Sequence, residues 1–184
     1  MIDTLVRLLP RAQPPRIAMP ESYALVTLHR PANVDEAEML AAIAACLTRL
    51  SDKLPILFPI HPRTRARLSS LGIDLSGHRN LHLLDPLGYL EFLALQRDAR
   101  VVITDSGGIQ EETTFLGVPC LTLRPNTERP VTVTIGTNQL LGSDLPRLER
   151  EVDAILAGRG KRGAIPELWD GHASDRIAEI LVGG

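Results

Sequence analysis

The chain has 184 residues, 44% of them hydrophobic and 23% charged, which suits one globular domain with a full core and argues against a disordered segment. Aromatic residues make up 3% and the net charge is -2, so the core must be aliphatic, and a base-stacking platform or a duplex-binding surface is disfavoured. No apolar run approaches a membrane span, no signal-peptide pattern opens the chain, and no His/Cys/Asp/Glu set has metal-ligand spacing, so neither nucleic acid, membrane nor metal is expected as a partner.

Ile2 to Leu9 reads as a short amphipathic helix, and Pro10, Pro14, Pro15 and Pro20 make residues 10–20 a semi-rigid connector. A helix and a proline linker leading straight into a core strand look like the tail of a preceding unit. Tyr23 to Leu28 is the first core strand. Asn33 or Asp35 is expected to cap a helix that runs to about Leu50, with Met39, Leu40, Ile43, Leu47 and Leu50 on one face. Leu54 to Ile60 is the second strand, followed by a helix to Leu71 and a turn at 72–80. Leu81 to Leu84 is the third strand, with Tyr89 to Arg97 as its helix. Strand 101–104 and helix 109–116 come fourth, and Pro119 to Leu123 is the fifth strand. Val131 to Thr134 and Gln139 to Leu141 are two further short strand candidates. Asp144 caps a helix through Leu156, a glycine- and charge-rich loop occupies 158–163, and a last helix lies near Ser174–Val182, ahead of a frayed Gly183-Gly184 end. Cys46 and Cys120 fall in a helix and a strand and read as buried free thiols, which fits the cytoplasm.

Five alternations of strand and helix predict an α/β fold, a Rossmann-like doubly wound parallel sheet with helices on both faces. Ligands in such sheets bind beyond the carboxyl ends of the strands. That edge collects His29-Arg30, His61, Asp85-Pro86, Ser106-Gly107-Gly108 and the Arg124–Arg129 loop.

The stretch from Val101 to Thr113 organises the chain. A β-branched apolar strand runs into Asp105-Ser106-Gly107-Gly108 and then into a helix that stops at Gly117-Val118-Pro119. Free N–H groups and the positive helix end make such a turn an anion site. Glu112, one turn on, suits ribose hydroxyls better than phosphate. The plainer alternative is that Ser106 only caps the helix and the glycines only permit a tight turn. His29 and His61 follow buried strands at matching places, and each is either structural or a proton-handling or phosphate-binding residue. Arg129 either orders its loop through a salt bridge or clamps an anion. Arg63, Arg65 and Arg67 read as a solvated helix face, and His78, His82 and His172 as surface or loop residues without convergent partners.

Taken together, Val26-Thr27-Leu28-His29-Arg30, Pro59-Ile60-His61-Pro62, Asp85-Pro86-Leu87-Gly88-Tyr89, Thr104-Asp105-Ser106-Gly107-Gly108-Ile109-Gln110-Glu111-Glu112, Thr127-Glu128-Arg129-Pro130 and Gly136-Thr137-Asn138 resemble the non-hydrolysing UDP-N-acetylglucosamine 2-epimerases in order and spacing. The resemblance implies a two-domain enzyme of glycosyltransferase-B-like architecture, of which this chain is the C-terminal half. Residues 1–20 would be the crossover helix and proline-rich linker, and 21–184 the Rossmann-like UDP-binding domain. It further implies a UDP-sugar substrate, a missing N-terminal Rossmann-like domain as partner, a homodimer whose contacts lie largely in that first half, and no cofactor. Carried over by residue, Ser106, Gly107 and Gly108 would hold the diphosphate and Glu112 the ribose. Arg129 would support the phosphate or sugar, and Phe92 and Leu87 would flank the uracil. His29 would be the catalytic residue of this half. The family reaction eliminates UDP to a 2-acetamidoglucal and adds it back with the proton on the other face of C2. Relatives often read His-Arg-Arg-Glu-Asn where this chain has His29-Arg30-Pro31-Ala32-Asn33. In some bacterial members that region and the residue matching His61 bind a second, activating substrate, which makes Arg30 and His61 the activator-binding candidates in a chain that lacks the Arg-Glu pair. A non-catalytic nucleotide-binding module that pairs with a separate first half, and half of a UDP-sugar glycosyltransferase, are the alternatives.

Overall fold

A computed structural model describes residues 1–183; Gly184, the last residue of the frayed end read from the sequence, lies outside the described residues. Six parallel strands, β1 (Ala24–Thr27), β2 (Ile56–Pro59), β3 (Leu81–Leu84), β4 (Val101–Thr104), β5 (Cys120–Thr122) and β6 (Asn138–Leu140), form one sheet in the order β3-β2-β1-β4-β5-β6. This is the doubly wound Rossmann order, whose direction of winding reverses between β1 and β4.

Side chains that alternate along each strand fill two layers. Ala24, Val26, Ile56, Phe58, Val101 and Ile103 face a core closed by α3 (Ala37–Ser51), α4 (Pro62–Ser70) and α8 (Leu145–Leu156). Tyr23, Leu25, Leu57 and Val102 face the opposite layer, which holds α5 (Tyr89–Asp98) and α6 (Gly107–Leu116). Strands buried on both faces read as continuous apolar runs, as these do. A wholly buried side chain such as Leu25 stabilises the fold by about 2 kcal/mol.

α1 (Ile2–Leu8) lies against this body, with Leu5 fully buried beside Leu93 and Ala94 of α5. Its Asp3 carboxylate accepts hydrogen bonds from the Ala173 and Ser174 N–H groups, at 3.3 and 2.7 Å, at the start of α9 (Ala173–Val182). α9 buries none of its residues, and Ile177, Ile180, Leu181 and Val182 face outward. No helix among the described residues is long and apolar enough to cross a membrane. Cys46 and Cys120 are buried free thiols in α3 and β5, and burial pushes them up to about 12 and about 11.

Two sequence expectations fail locally. Val131–Thr134 is not a strand but part of α7 (Pro130–Thr134). Pro130 sits at the first turn, where its missing N–H costs nothing, and the Thr132 hydroxyl bonds the Arg129 carbonyl; these local terms override β-branched propensity. Neither Asn33 nor Asp35 caps the long helix. Residues Pro31–Val34 form a separate short helix, α2, and α3 starts after Glu36. Asn33 is drawn inward to Asp105 and to the Leu123 carbonyl, whereas Asp35 pairs with Arg63 at 2.6 Å. That pair, together with Arg67 on the Asp35 carbonyl and Arg65 near Asp85, makes the arginine face of α4 a paired surface and not a purely solvated one. His172 likewise has a partner, Asp175 at 2.9 Å. Asp144 caps α8 as expected, accepting from the Arg147 N–H at 2.8 Å.

Candidate functional site at the switch point

The β1–β4 register pairs Thr27 with Thr104. The next residues on each chain, Leu28-His29 and Asp105-Ser106, therefore emerge side by side at the point where the winding reverses. Asp105 is fully buried and gathers the β1 loop: it accepts from the His29 N–H at 3.1 and 3.2 Å, the Arg30 N–H at 2.9 Å and Asn33 Nδ2 at 3.0 Å. His29 Nδ1 lies 3.1 Å from the same carboxylate. That contact orients the half-exposed imidazole and leaves Nε2 as the nitrogen available to a ligand.

Ser106 stands at the N-cap of α6, but its hydroxyl makes no capping bond; only its N–H is engaged, with Thr104 Oγ1 at 3.0 Å. The N–H groups of Gly107, Gly108 and Ile109 find no acceptor among the described residues. Capping alone therefore does not account for Ser106, and the turn offers an unengaged hydroxyl and free amides at the positive end of a ten-residue helix.

A cleft of about 570 Å³ opens beside this turn, lined by Ser106, Gly108, Ile109, Glu112, Tyr89 and Phe92, with Thr4 of α1 and Met1, whose side chain lies against Gly108, completing the lining. A second, smaller hollow of about 190 Å³ meets it at Phe92 and is lined by His29, His61, Pro86 and Leu87. Seven of the sequence candidates thus fall around two hollows that share the Phe92 ring, with Ser106, Gly108 and Glu112 in one and His29, His61 and Leu87 in the other. His61 joins the second hollow while its Nδ1 caps α4 by accepting from the Arg63 N–H at 3.2 Å. Arg30 points elsewhere, into a hollow of about 430 Å³ that it shares with Arg124 and Asn33.

Glu112 is buried, with Tyr89 donating its hydroxyl at 2.8 Å and Gln96 its amide at 3.2 Å. Burial outweighs both hydrogen bonds and raises the Glu112 carboxyl above its ordinary value. Folded Glu112 therefore holds its proton more tightly than unfolded Glu112. Its contribution to stability is complete below the unfolded carboxyl range and is lost as pH rises through the raised folded value. Glu112→Gln removes that loss, and Gln96 can turn its otherwise unpaired Oε1 toward the new amide. The gain in Tm of the variant over the parent should grow from acid to neutral pH in thermal scans; a constant difference would contradict this. Sequence reading missed Tyr89 and Gln96 as partners of Glu112, although their seven-residue spacing with Phe92 between them places all three on one face of α5.

Arg129 lies at the N-cap of α7, and its Nε is 3.1 Å from Glu111 Oε2. Neither atom has a well-aligned hydrogen bond, so the pair is close but poorly directed. Arg124, which the sequence placed only in a loop, is nearly buried and forks onto Glu128 at 2.7 and 3.1 Å, holding that carboxyl down to about 2. A side chain on Gly107 would reach both Glu128 and Arg124, which sets this pair on the rim of the turn. Gln110, fully buried in α6, joins turn and loop. Its Oε1 accepts from Thr127 Oγ1 at 2.6 Å and Asn138 Nδ2 at 3.0 Å, and Thr127 Oγ1 in turn accepts from the Arg129 N–H at 3.0 Å.

Sheet order and loop grouping define the class: a Rossmann-like α/β domain with its polar edge at the switch point. Within that class the chain belongs to the UDP-N-acetylglucosamine 2-epimerase family, whose description matches residues 1–182. It is 40% identical over 173 residues to the UDP-N-acetylglucosamine 2-epimerase of Methanocaldococcus jannaschii, covering 91% of this chain and 46% of that protein. It is 36% identical over 166 residues to the UDP-2,3-diacetamido-2,3-dideoxy-D-glucuronate 2-epimerase of Pseudomonas aeruginosa, covering 90% of this chain and 46% of that protein. The crystal structure of the M. jannaschii enzyme in complex with UDP-GlcNAc and UDP superposes with a TM-score of 0.86 and 36% identity, over 100% of this chain and 53% of the other. The chain spans about half the length of the curated relatives it matches.

Proposed function

We propose that this chain is the UDP-binding, C-terminal half of a non-hydrolysing UDP-N-acetylglucosamine 2-epimerase, working in the cytoplasm and inactive until a first domain closes over it. The observation that carries the reading is the Ser106–Gly108 turn. Its Ser106 hydroxyl and its Gly107 and Gly108 amides are free, it sits at a helix N-terminus, and it opens into the same cleft as Phe92 and Glu112. A diphosphate would lie on Ser106, Gly107 and Gly108, where free N–H groups and the helix dipole favour an anion. Ribose hydroxyls would meet Glu112, with Tyr89 and Gln96 fixing the carboxylate, and uracil would sit between Phe92 and the Leu87 segment. Arg129, only loosely held by Glu111, could turn onto the phosphate or sugar at little cost.

Chemically, the C2 proton of the sugar is not acidic, so inversion proceeds by breaking the C1–O bond and expelling UDP. A cradle that stabilises the departing diphosphate lowers that barrier directly. His29, oriented by Asp105, is the proton-handling group this half supplies. The remaining acid and base would come from the first domain, which would also cover the outward apolar residues of α9. No cofactor enters this route.

The relative that acts on a diacetamido glucuronate favours a second reading of the sugar alone. The nucleotide half of the site would be shared and the sugar pocket would be completed by the first domain. Incubating the isolated chain with UDP-N-acetylglucosamine should give no manno epimer, and adding the first half in trans should restore turnover. Epimerisation by the isolated chain would overturn the division of labour. Failure of the reconstituted pair on UDP-N-acetylglucosamine, with turnover of the diacetamido uronate, would transfer the assignment to that sugar.

A further inference from the structure

The edge of the sheet opposite the switch point carries a basin that the epimerase reading does not use. It measures about 550 Å³ and lies where Ala99-Arg100 enters β4, Val118-Pro119 enters β5 and the 158–163 loop leaves α8. Arg100, Lys161 and Arg162 line it, and no carboxylate does. Among the described residues these three, and Arg159 beside them, take part in no ion pair.

The loop itself is built for close approach. A Cβ on Gly160 would come within 2.7 Å of Ile155, and one on Gly163 within 2.3 Å of the Gly136 backbone. The glycines let the loop lie flat on its neighbours, anchored by the Ala164 N–H on the Ile135 carbonyl at 2.9 Å. Among the described residues the four successive N–H groups of residues 160–163 find no acceptor. Amides without an internal acceptor, beside three cations, are free to donate to a bound anion.

A plainer role exists for the cations, because helix C-termini also meet at this edge. Arg100 donates to the Ile155 carbonyl at 2.9 Å, and Lys161 donates to the Val133 and Asn138 carbonyls. Each helix end carries only about half a negative charge, so the ends of α5, α6 and α8 together offset about one and a half of the three lining cations. A guanidinium bound to a carbonyl keeps its charge. The basin therefore retains a positive surplus over a partly apolar floor of Val118, Pro119 and Ile155.

We propose that this basin binds a small phosphorylated anion, independently of the cleft at the opposite edge. Its concave form and its volume suit a molecule bearing one or two phosphate groups. Among the described residues the Arg162 side chain makes no hydrogen bond or ion pair, so it would turn onto the ligand without releasing an internal contact.

Amide NMR of the chain titrated with inorganic pyrophosphate tests this residue by residue. Saturable shifts are expected at the amides of Gly158, Gly160 and Gly163, with affinity about tenfold weaker in Arg162→Ala, the loss typical of one charged hydrogen bond. Because the Gly107 and Gly108 amides report the opposite edge in the same spectra, failure of either site is read separately. Shifts reproduced by sodium chloride at matched ionic strength, unchanged in Arg162→Ala, or confined to Gly107 and Gly108 would overturn the proposal.

Discussion

Asp105→Ala is expected to cost the fold about 3–5 kcal/mol and to abolish UDP binding. The carboxylate is buried and accepts from two backbone N–H groups and the Asn33 amide, with the His29 ring 3.1 Å away, all from the segment that follows β1. Alanine leaves the buried Asn33 amide and the partly buried His29 and Arg30 N–H groups without their acceptor. Against a typical domain stability of about 5–15 kcal/mol, that loss is a large share of the total. The functional consequence follows from the same bonds. Asp105 immediately precedes Ser106, so releasing the His29 loop also loosens the start of the glycine turn. Asp105→Asn keeps one acceptor oxygen but faces donors with its NH₂, so it should fall between the parent and alanine. Denaturant unfolding measures the stability change, and a loss below about 1 kcal/mol for alanine would show that the loop is held by other contacts.

Gln110→Leu is expected to destabilise the domain by about 2–4 kcal/mol and to weaken UDP binding beyond what the stability loss explains. Leucine fills nearly the same volume, so packing is largely kept. What disappears is the one oxygen on which the Thr127 hydroxyl and the Asn138 amide converge. Thr127 in turn accepts from the Arg129 N–H, so the loop that presents Arg129 loses its tie to the helix that carries the turn. The native Nε2 is itself buried and unpaired, hence no donor bond is sacrificed by the change. Urea unfolding and a UDP titration under conditions where the variant is folded separate the two effects. An unchanged affinity in folded Gln110→Leu would assign Gln110 to stability alone.

Much of the architecture was legible because its signals are local. Val101–Thr104 and Tyr23–Leu28 are apolar runs that only a sheet covered on both faces explains, and Gly117 ends α6 in the left-handed conformation that glycine adopts freely. The grouping of His29, His61, Asp85-Pro86, Ser106 and the Arg124–Arg129 loop at one edge followed from the parallel sheet itself, whereas Leu87 came from the family resemblance. What the sequence concealed depends on register. Asp105 reads as one more polar residue of an anion turn until the pairing of Thr27 with Thr104 sets it beside the His29 loop as an anchor. Asn33 has ideal capping chemistry, yet that same anchor captures its amide. The β-branched Val131-Thr132-Val133-Thr134 carries strand propensity, and only the Pro130 start and the Thr132 back-bond make it a helix. Arg124 could not be told from its loop neighbours, because its burial against Glu128 is a tertiary contact. By contrast, Tyr89 and Gln96 were within reach, since helical spacing alone aligns them with Phe92.

The most direct measurement is a calorimetric titration of UDP into this chain, into Ser106→Ala and into Arg129→Ala. Saturable binding is expected for the parent chain. Each variant should bind about tenfold more weakly, as loss of one hydrogen bond to a charged group implies, with folding unchanged because the Ser106 hydroxyl has no internal partner and Arg129 is poorly tied. No heat of binding from the folded chain, or equal affinity in all three proteins, would contradict a UDP site built on the Ser106–Gly108 turn.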